Sequence, residues 1–352
     1  MADVHITIDG QSLTVPSNYT VLQAAESAGI NVPTLCAHPS LKPIGACRIC
    51  LVEIEKQRVL QPCCTFPVSE GMVVRTNTPK VREARRFVLD LLLSDHPLDC
   101  MTCQKAGDCT LQDLAYEYGI KESTFAGLQH DWPLQDANPF ITRDYNKCIL
   151  CRRCVRACEE INGVAAIGPL NRGFDTKIGT AYDGELQDSP CEFCGMCIAL
   201  CPTGALQPKA SIGKGRAWET HKVTTICPYC GVGCTLDLNV KDNRVVQVTS
   251  NWEGPSNHGW TCVKGRFGWD YIENEERLTT PLIRKDGELV PATWDEALDL
   301  VADKFAGYAK EFGPNALGFL SSAKCSNEEN YLVQKLGRGV IGTNNIDHCA
   351  RL

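Results

Sequence analysis

The chain has 352 residues, 43% of them hydrophobic, with a formal net charge of -7 and a pI near 5.6. That acidic balance argues against a nucleic-acid binder, which usually carries a basic stripe. The most apolar stretch, Phe87 to Ser94, is broken by Asp90 and falls far short of the roughly 18 residues a membrane helix needs, and no basic-then-apolar leader opens the chain, so it reads as cytoplasmic, with room for two or three domains.

Cysteine is the outlier, at 22 residues. Disulfides need an oxidising compartment, and no export signal is present. Zinc sites usually come as two well-separated cysteine pairs. Iron–sulfur clusters use three or four cysteines close together, because one loop wraps a compact group. Spacing decides among these.

Residues 1–78 open with alternating apolar positions: Val4, Ile6 and Ile8, an Asp9-Gly10 turn, then Leu13 and Val15 on the return strand. A short helix from Val21 to Ala28 ends at Gly29. The cysteines follow as Cys36-x10-Cys47-x2-Cys50-x13-Cys64. A hairpin, a helix and a four-cysteine loop resemble a β-grasp [2Fe–2S] ferredoxin, with a longer first gap than the four residues of plant-type members. That gap is similar to the N-terminal domains of complex I large subunits, iron-only hydrogenases and some formate dehydrogenases. The resemblance implies Cys64 rather than the adjacent Cys63 as the fourth ligand; a zinc ribbon is the alternative for the same residues.

Residues 79–137 begin with a helix. Thr78 is placed as N-cap, Pro79 as its first residue, and Val81, Ala84, Val88 and Leu91 as its apolar stripe. It leads to His96-x3-Cys100-x2-Cys103-x5-Cys109. Three cysteines leave a four-iron cubane one ligand short. His96 has the reach to supply it, and the set resembles the His/Cys3 cluster of the same families. A neutral imidazole in place of a thiolate removes a negative charge and raises the reduction potential.

Residues 138–210 hold two runs: Cys148-x2-Cys151-x2-Cys154-x3-Cys158 and Cys191-x2-Cys194-x2-Cys197-x3-Cys201-Pro202. This is the bacterial two-cluster ferredoxin pattern, in which the fourth cysteine of each run serves the other cluster. It pairs Cys148, Cys151 and Cys154 with Cys201, and Cys191, Cys194 and Cys197 with Cys158, around a pseudo-twofold.

After a linker from Ser211 to Arg216, residues 220–276 carry Cys227-x2-Cys230-x3-Cys234-x27-Cys262. In isolation these four could also hold zinc. With Lys264 two residues beyond the last cysteine, they resemble the [4Fe–4S] domain that opens molybdenum or tungsten bis-pterin oxidoreductases. The resemblance implies that Lys264 lies between cluster and pterin and relays electrons; a solvated surface lysine is the other reading. Nineteen cysteines and His96 then supply one [2Fe–2S] and four [4Fe–4S] clusters, leaving Cys63, Cys325 and Cys349 without a ligand role.

Residues 277–352 read as the start of an α/β domain. Thr293 and Glu296 form a capping box before a helix with Ala297, Leu300, Val301 and Phe305 on its apolar face. A buried strand, Leu317 to Ala323, and a second box, Ser326 with Glu329, follow. Ligands of doubly wound sheets sit at the carboxyl ends of strands, which makes Ser321, Lys324 and Asn327 candidate pterin contacts; helix capping explains the same residues. The fold class is therefore an α+β multi-module iron–sulfur protein.

The module order, with "VKGRFGWDYI", "AKCSNEENY" and the final "GTNNIDHCARL", resembles the catalytic subunit of cytoplasmic, NAD(P)- or hydrogenase-linked formate dehydrogenases. The resemblance implies formate and carbon dioxide as substrates, a molybdenum or tungsten bis-(molybdopterin guanine dinucleotide) cofactor, and flavin/NAD(P)-binding and iron–sulfur partner subunits or a hydrogenase module. In that family the next residue is the metal-ligating selenocysteine or cysteine. The expectation is that the sequence stops at Leu352 because a recoded UGA was read as a stop, and that these residues alone are inactive on formate. A stand-alone electron-transfer subunit of a hydrogenase or a complex I-like assembly is the alternative.

Overall fold

The computed structural model describes residues 2–348, so Cys349 and the last three residues of the final motif lie outside it. The chain divides into two compact units: residues 1–222 with 239–249, and residues 223–238 with 250–352.

The first unit opens with strands β1 (Asp3–Ile8) and β2 (Gln11–Pro16), paired antiparallel with Ile8 opposite Gln11. Asp9 and Gly10 both take positive φ, +48° and +85°, which makes the two-residue turn that follows the strand twist. Helix α1 (Val21–Ser27) starts at a Thr20–Gln23 capping box and buries Val21, Leu22, Ala24 and Ala25. Strands β3 (Leu51–Ile54), β4 (Gln61–Pro62) and β5 (Met72–Arg75) complete a sheet of order β2-β1-β5-β3-β4 with β1 and β5 parallel. Ile6, Ile8 and Val15 face the core, as their alternation requires.

Helix α2 (Pro79–Leu93) begins at Thr78, whose hydroxyl accepts from the Val81 amide. Its buried face differs from the expected stripe: Val81, Arg85, Leu89 and Leu93 turn inward, while Leu91 is 45% exposed. Arg85 is the reason. Its guanidinium donates to the Leu51 carbonyl and to the Tyr118 hydroxyl at 3.3 Å, so a charged residue occupies the inner face and hydropathy alone misplaces it. Helix α3 (Thr110–Glu117) contributes Leu111 and Leu114 to the same core.

That core joins modules that the sequence separates. Leu35, Cys36, Cys47 and Ile49 from the β-grasp loop pack with Leu89, Leu93, Cys109, Leu111 and Cys151. The expected linker is also not free. Arg216 donates to the carbonyls of Cys103 and Met101, and Gln104 bonds Gly213 and Gly215.

In the second unit a hairpin (Leu282–Lys285 with Glu288–Pro291) precedes a helix at Trp294–Phe312, capped by the expected Thr293–Glu296 box. Strand Phe319–Ser321 pairs in parallel with Ile346–His348 across helix Asn327–Lys335, a strand–helix–strand unit. The strand is less buried than expected, with Leu320 86% exposed, and Leu300 and Val301 of the long helix are exposed too. A two-stranded sheet covered on one side leaves its other face open.

Leu89→Ala should lower unfolding stability by about 2–5 kcal/mol, the cost of emptying a core leucine site, whereas Leu91→Ala should stay within about 0.5 kcal/mol of the parent. Urea unfolding of the two variants at matched iron content checks the corrected face.

Candidate metal centres

The β-grasp loop brings four sulfurs together. Cys36 accepts hydrogen bonds from the thiols of Cys47 and Cys64, which hold its own thiol low and push those two up. Cys50 faces both Cys63 and Cys64 and is pushed up to about 12. Cys64 thus touches Cys36 and Cys50, whereas Cys63 approaches the set from the Cys50 side. All five are buried.

In the next loop Cys100 and Cys109 each sit within electrostatic reach of Cys103. Burial lowers the pKa of His96 and favours the neutral imidazole that a metal ligand must be. Its charged surroundings are Asp99, Lys147, Asp144 and Asp95. Lys147 is nearly buried and bridges Asp99 at 2.8 Å and Asp144 at 2.9 Å. Backbone approaches closely here: a Cβ on Gly204 would stand 2.8 Å from the Cys103 sulfur.

The two ferredoxin runs share one backbone path. Leu150 and Arg152 take positive φ, +53° and +57°, and so do Phe193 and Gly195, +53° and +71°, at matching places in their runs. Three of these four are not glycine, and L-residues resist that conformation at roughly 1 kcal/mol or more apiece. The strain turns amides toward sulfur: Leu150 N–H toward Cys148, Arg153 N–H toward Cys151, Phe193 N–H toward Cys191. Short helices at Arg153–Arg156 and Met196–Leu200 follow.

The fourth cysteine of each run lies against the other run. Cys201 neighbours Cys148, Cys151 and Cys154, and the four line one enclosed, largely apolar cavity. Cys158 neighbours Cys191 and Cys197, with Cys194 beside both. Burial pushes Cys148 up to about 12 and Cys151 to about 11. Further donors reach sulfur, with the Asn162 amide 2.7 Å from Cys194 and the Ala166 N–H 3.2 Å from Cys158.

In the second unit Cys227, Cys230, Cys234 and Cys262 line a cavity of about 360 Å³ together with Tyr229 and Lys264. Cys227 is buried, Cys234 half-buried, and Cys230 and Cys262 are exposed at its mouth. The Tyr229 hydroxyl donates to the Gly268 carbonyl, and the Lys264 ammonium lies 5.9 Å from the Tyr229 ring centre. Gly231 of this loop passes Ala323, where a Cβ would be 3.7 Å from its carbonyl. The segment that carries Ser321, Lys324 and Asn327 therefore runs beside the cysteine loop. Ser321 is committed to Asn330, Lys324 N–H to the Ser322 hydroxyl at 3.0 Å, and Asn327 opens the helix capped by Ser326.

The donor set fits iron–sulfur clusters: clustered cysteines around spaces, served by backbone amides, with carboxylates gathered near His96. Residues not singled out from the sequence are the cations of these loops, Lys147, Arg153 and Arg156. Three arginines inside "CRRCVRAC", in an acidic chain, are the signal that could have found them.

Family models match successive stretches of the chain. A 2Fe-2S iron-sulfur cluster binding domain matches residues 1–79 and the NADH-ubiquinone oxidoreductase-G iron-sulfur binding region residues 85–124. The ferredoxin-like domain of NADH-quinone oxidoreductase subunit 3 matches 138–207. The molybdopterin oxidoreductase Fe4S4 domain matches 220–274, and the molybdopterin oxidoreductase model matches 277–352. The C-terminal part of the chain, residues 220–274 and 277–352, thus matches molybdopterin oxidoreductases. The chain's relatives include G-type subunits of NADH-quinone oxidoreductase. The G 2 subunit of the NADH-quinone oxidoreductase of Rhizobium meliloti (strain 1021) is 44% identical over 99% of this chain and 40% of its own length. The alpha subunit of the NADPH-Fe(3+) oxidoreductase of Geobacter sulfurreducens (strain DL-1 / KN400) is 38% identical over 99% of this chain and 40% of its own. A Staphylococcus aureus protein (strain bovine RF122 / ET3-1), which carries the name formate dehydrogenase provisionally, is 34% identical over 98% and 39%. The chain thus spans about 40% of the length of these curated relatives. Among solved structures, a chain of an NAD+-reducing [NiFe]-hydrogenase in the H2-reduced state superposes with a TM-score of 0.57 and 32% identity, over 61% of this chain and 91% of that one. No helix among the described residues is long and apolar enough to cross a membrane.

Cys64→Ser should abolish the [2Fe–2S] absorption and EPR signal of the anaerobically prepared protein and remove about two iron atoms. Cys63→Ser should leave both unchanged. Equal loss in the two variants would overturn the choice between the neighbours.

Proposed function

We propose that this chain is the iron–sulfur, electron-conducting part of a formate dehydrogenase or carbon dioxide reductase catalytic subunit, linking a molybdenum or tungsten bis-pterin site to a partner subunit. The observation that carries this reading is the second unit's cysteine cavity with Lys264 on its wall and the segment of Ser321 and Lys324 alongside. The first unit would hold a [2Fe–2S] cluster on Cys36, Cys47, Cys50 and Cys64, and a [4Fe–4S] cluster on His96, Cys100, Cys103 and Cys109. Two more [4Fe–4S] clusters would take Cys148, Cys151, Cys154 with Cys201, and Cys191, Cys194, Cys197 with Cys158. Cys227, Cys230, Cys234 and Cys262 would hold the fifth.

Bound clusters supply one-electron transfer, so a series of them serves conduction rather than bond chemistry. The protein's own groups set the conditions. Around Cys36, Cys47 and Cys151 burial in an apolar core excludes water, and the amides of Leu150, Arg153 and Phe193 favour sulfur in its ionised state. Lys264 places a positive charge at the edge of the fifth site, where a pterin side would meet the cysteine loop. Arg266 braces that helix by donating to Ser250 at 2.6 Å and Thr261 at 3.0 Å.

Formate as substrate rests on the resemblance of "VKGRFGWDYI", "AKCSNEENY" and "GTNNIDHCARL" to that family and on the provisional name of the Staphylococcus relative. A second reading, an electron-transfer subunit of an NADH-linked complex or a hydrogenase, is favoured by the Rhizobium relative and the hydrogenase structure. The test is anaerobic purification of the whole protein with its native partners. The proposal expects roughly eighteen iron atoms on this chain's sites, molybdenum or tungsten, and formate-dependent reduction of a viologen dye. Zinc in place of iron would overturn the cluster assignments. Full iron with NADH or hydrogen turnover and none with formate would overturn the substrate and leave the second reading.

A further inference from the structure

Two cations of the first ferredoxin run, buried Arg156 and half-buried Arg153, meet no carboxylate among the described residues. Arg156 is 4% exposed, and its guanidinium donates to three backbone carbonyls: Arg152 at 3.2 Å, Lys42 at 2.5 Å, and Cys36. Arg153 donates to the Ala37 carbonyl, while its Nε is buried with no partner. Among the described residues neither guanidinium makes an ion pair with a carboxylate. Each of these hydrogen-bond partners is a neutral oxygen, and two of them belong to Cys36 and its neighbour in the β-grasp loop. Cys36, Cys47 and Cys151 are the thiols in electrostatic reach of Arg153.

Burying a charge without a counter-charge is strongly unfavourable, and hydrogen bonds to carbonyls offset only part of it. A neutral donor such as glutamine, with two N–H groups, could hold two of these carbonyls with far less desolvation. The position of the two arginines is therefore informative. They stand between the loop of Cys36 and the loop of Cys151, which share one buried core. A cluster held by four thiolates carries net negative charge, and its reduced form carries one negative charge more. A fixed cation nearby favours the reduced form and raises the potential.

We propose that Arg153 and Arg156 are the fixed counter-charges of the two cluster sites they lie between, Cys36/Cys47/Cys50/Cys64 and Cys148/Cys151/Cys154/Cys201, and that they raise the reduction potentials of both together. The inference rests on the cluster assignment of those eight cysteines. In this role the arginines are positioning residues: they ligate nothing and set the field in which two neighbouring sites accept an electron. The same pair fastens the β-grasp loop to the ferredoxin run through Cys36, Ala37 and Lys42, so that the two sites keep a constant separation from the charge they share.

The experiment is an EPR-monitored redox titration of the full chain with its clusters assembled anaerobically, on the parent and on Arg153→Gln, Arg156→Gln and Arg156→Lys, with iron counted in each. The Gln variants should keep their iron and move the midpoints of the [2Fe–2S] centre and one [4Fe–4S] centre to lower potential, the others staying in place. Arg156→Lys should restore the parent midpoints. Unchanged midpoints, a uniform shift of every centre, or a Lys variant as low as the Gln variant would overturn the proposal. If a Gln variant loses iron from these two sites, recovery of loading by Lys supports the counter-charge and lack of recovery overturns it. A parent protein without a [2Fe–2S] signal would instead sink the cluster assignment, a failure visible before any variant is made.

Discussion

The first unit is organised by the need to bring sulfurs within reach of one another while keeping water away. Cysteine side chains are short, so the backbone itself must curl around the space between them. Leu150, Arg152 and Phe193 accept left-handed conformations that their side chains resist, and the same loops point amides at the sulfurs. Apolar side chains then close over the result, with Leu35, Ile49, Leu89 and Leu111 around Cys36, Cys47, Cys109 and Cys151. The β-grasp sheet keeps a core of its own, and the smaller modules that follow pool theirs with its cysteine loop.

Much of this is legible in the amino-acid order. Spacing alone groups the cysteines, because ligand geometry is written into short sequence intervals. The Asp9-Gly10 hairpin and the boxes at Thr293 and Ser326 follow from local chemistry that tertiary packing leaves untouched. The inner face of α2 is not legible. Arg85 lies inside because Leu51 and Tyr118 come from distant segments to receive it, and no periodicity records a partner 33 or 34 residues away.

The cations of the cysteine loops escape a sequence reading for a related reason. On a helical or loop pattern an arginine reads as solvated surface. Arg156 and Lys147 are inside because the groups they serve, the carbonyls of Cys36 and Lys42 for one and the carboxylates of Asp99 and Asp144 for the other, are assembled only in three dimensions. The second unit's strand shows the opposite error. Apolar composition at Leu317 to Ala323 suggests a buried strand, whereas one neighbouring strand and helices that include Phe305, edge-on to Phe319, cover only part of it.

The segment from Ser211 to Arg216, whose two glycines and one lysine suggest slack rope, is instead tied at Cys103, Met101 and Gln104. Its unit resumes at residues 239–249 after an excursion elsewhere. Such interleaving makes the ferredoxin-like region impossible to lift out with a single scissor cut in the gene. The clasp between Gln104 and Gly213 closes a loop around that region, so a graft of it into another protein would have to preserve both ends of the clasp.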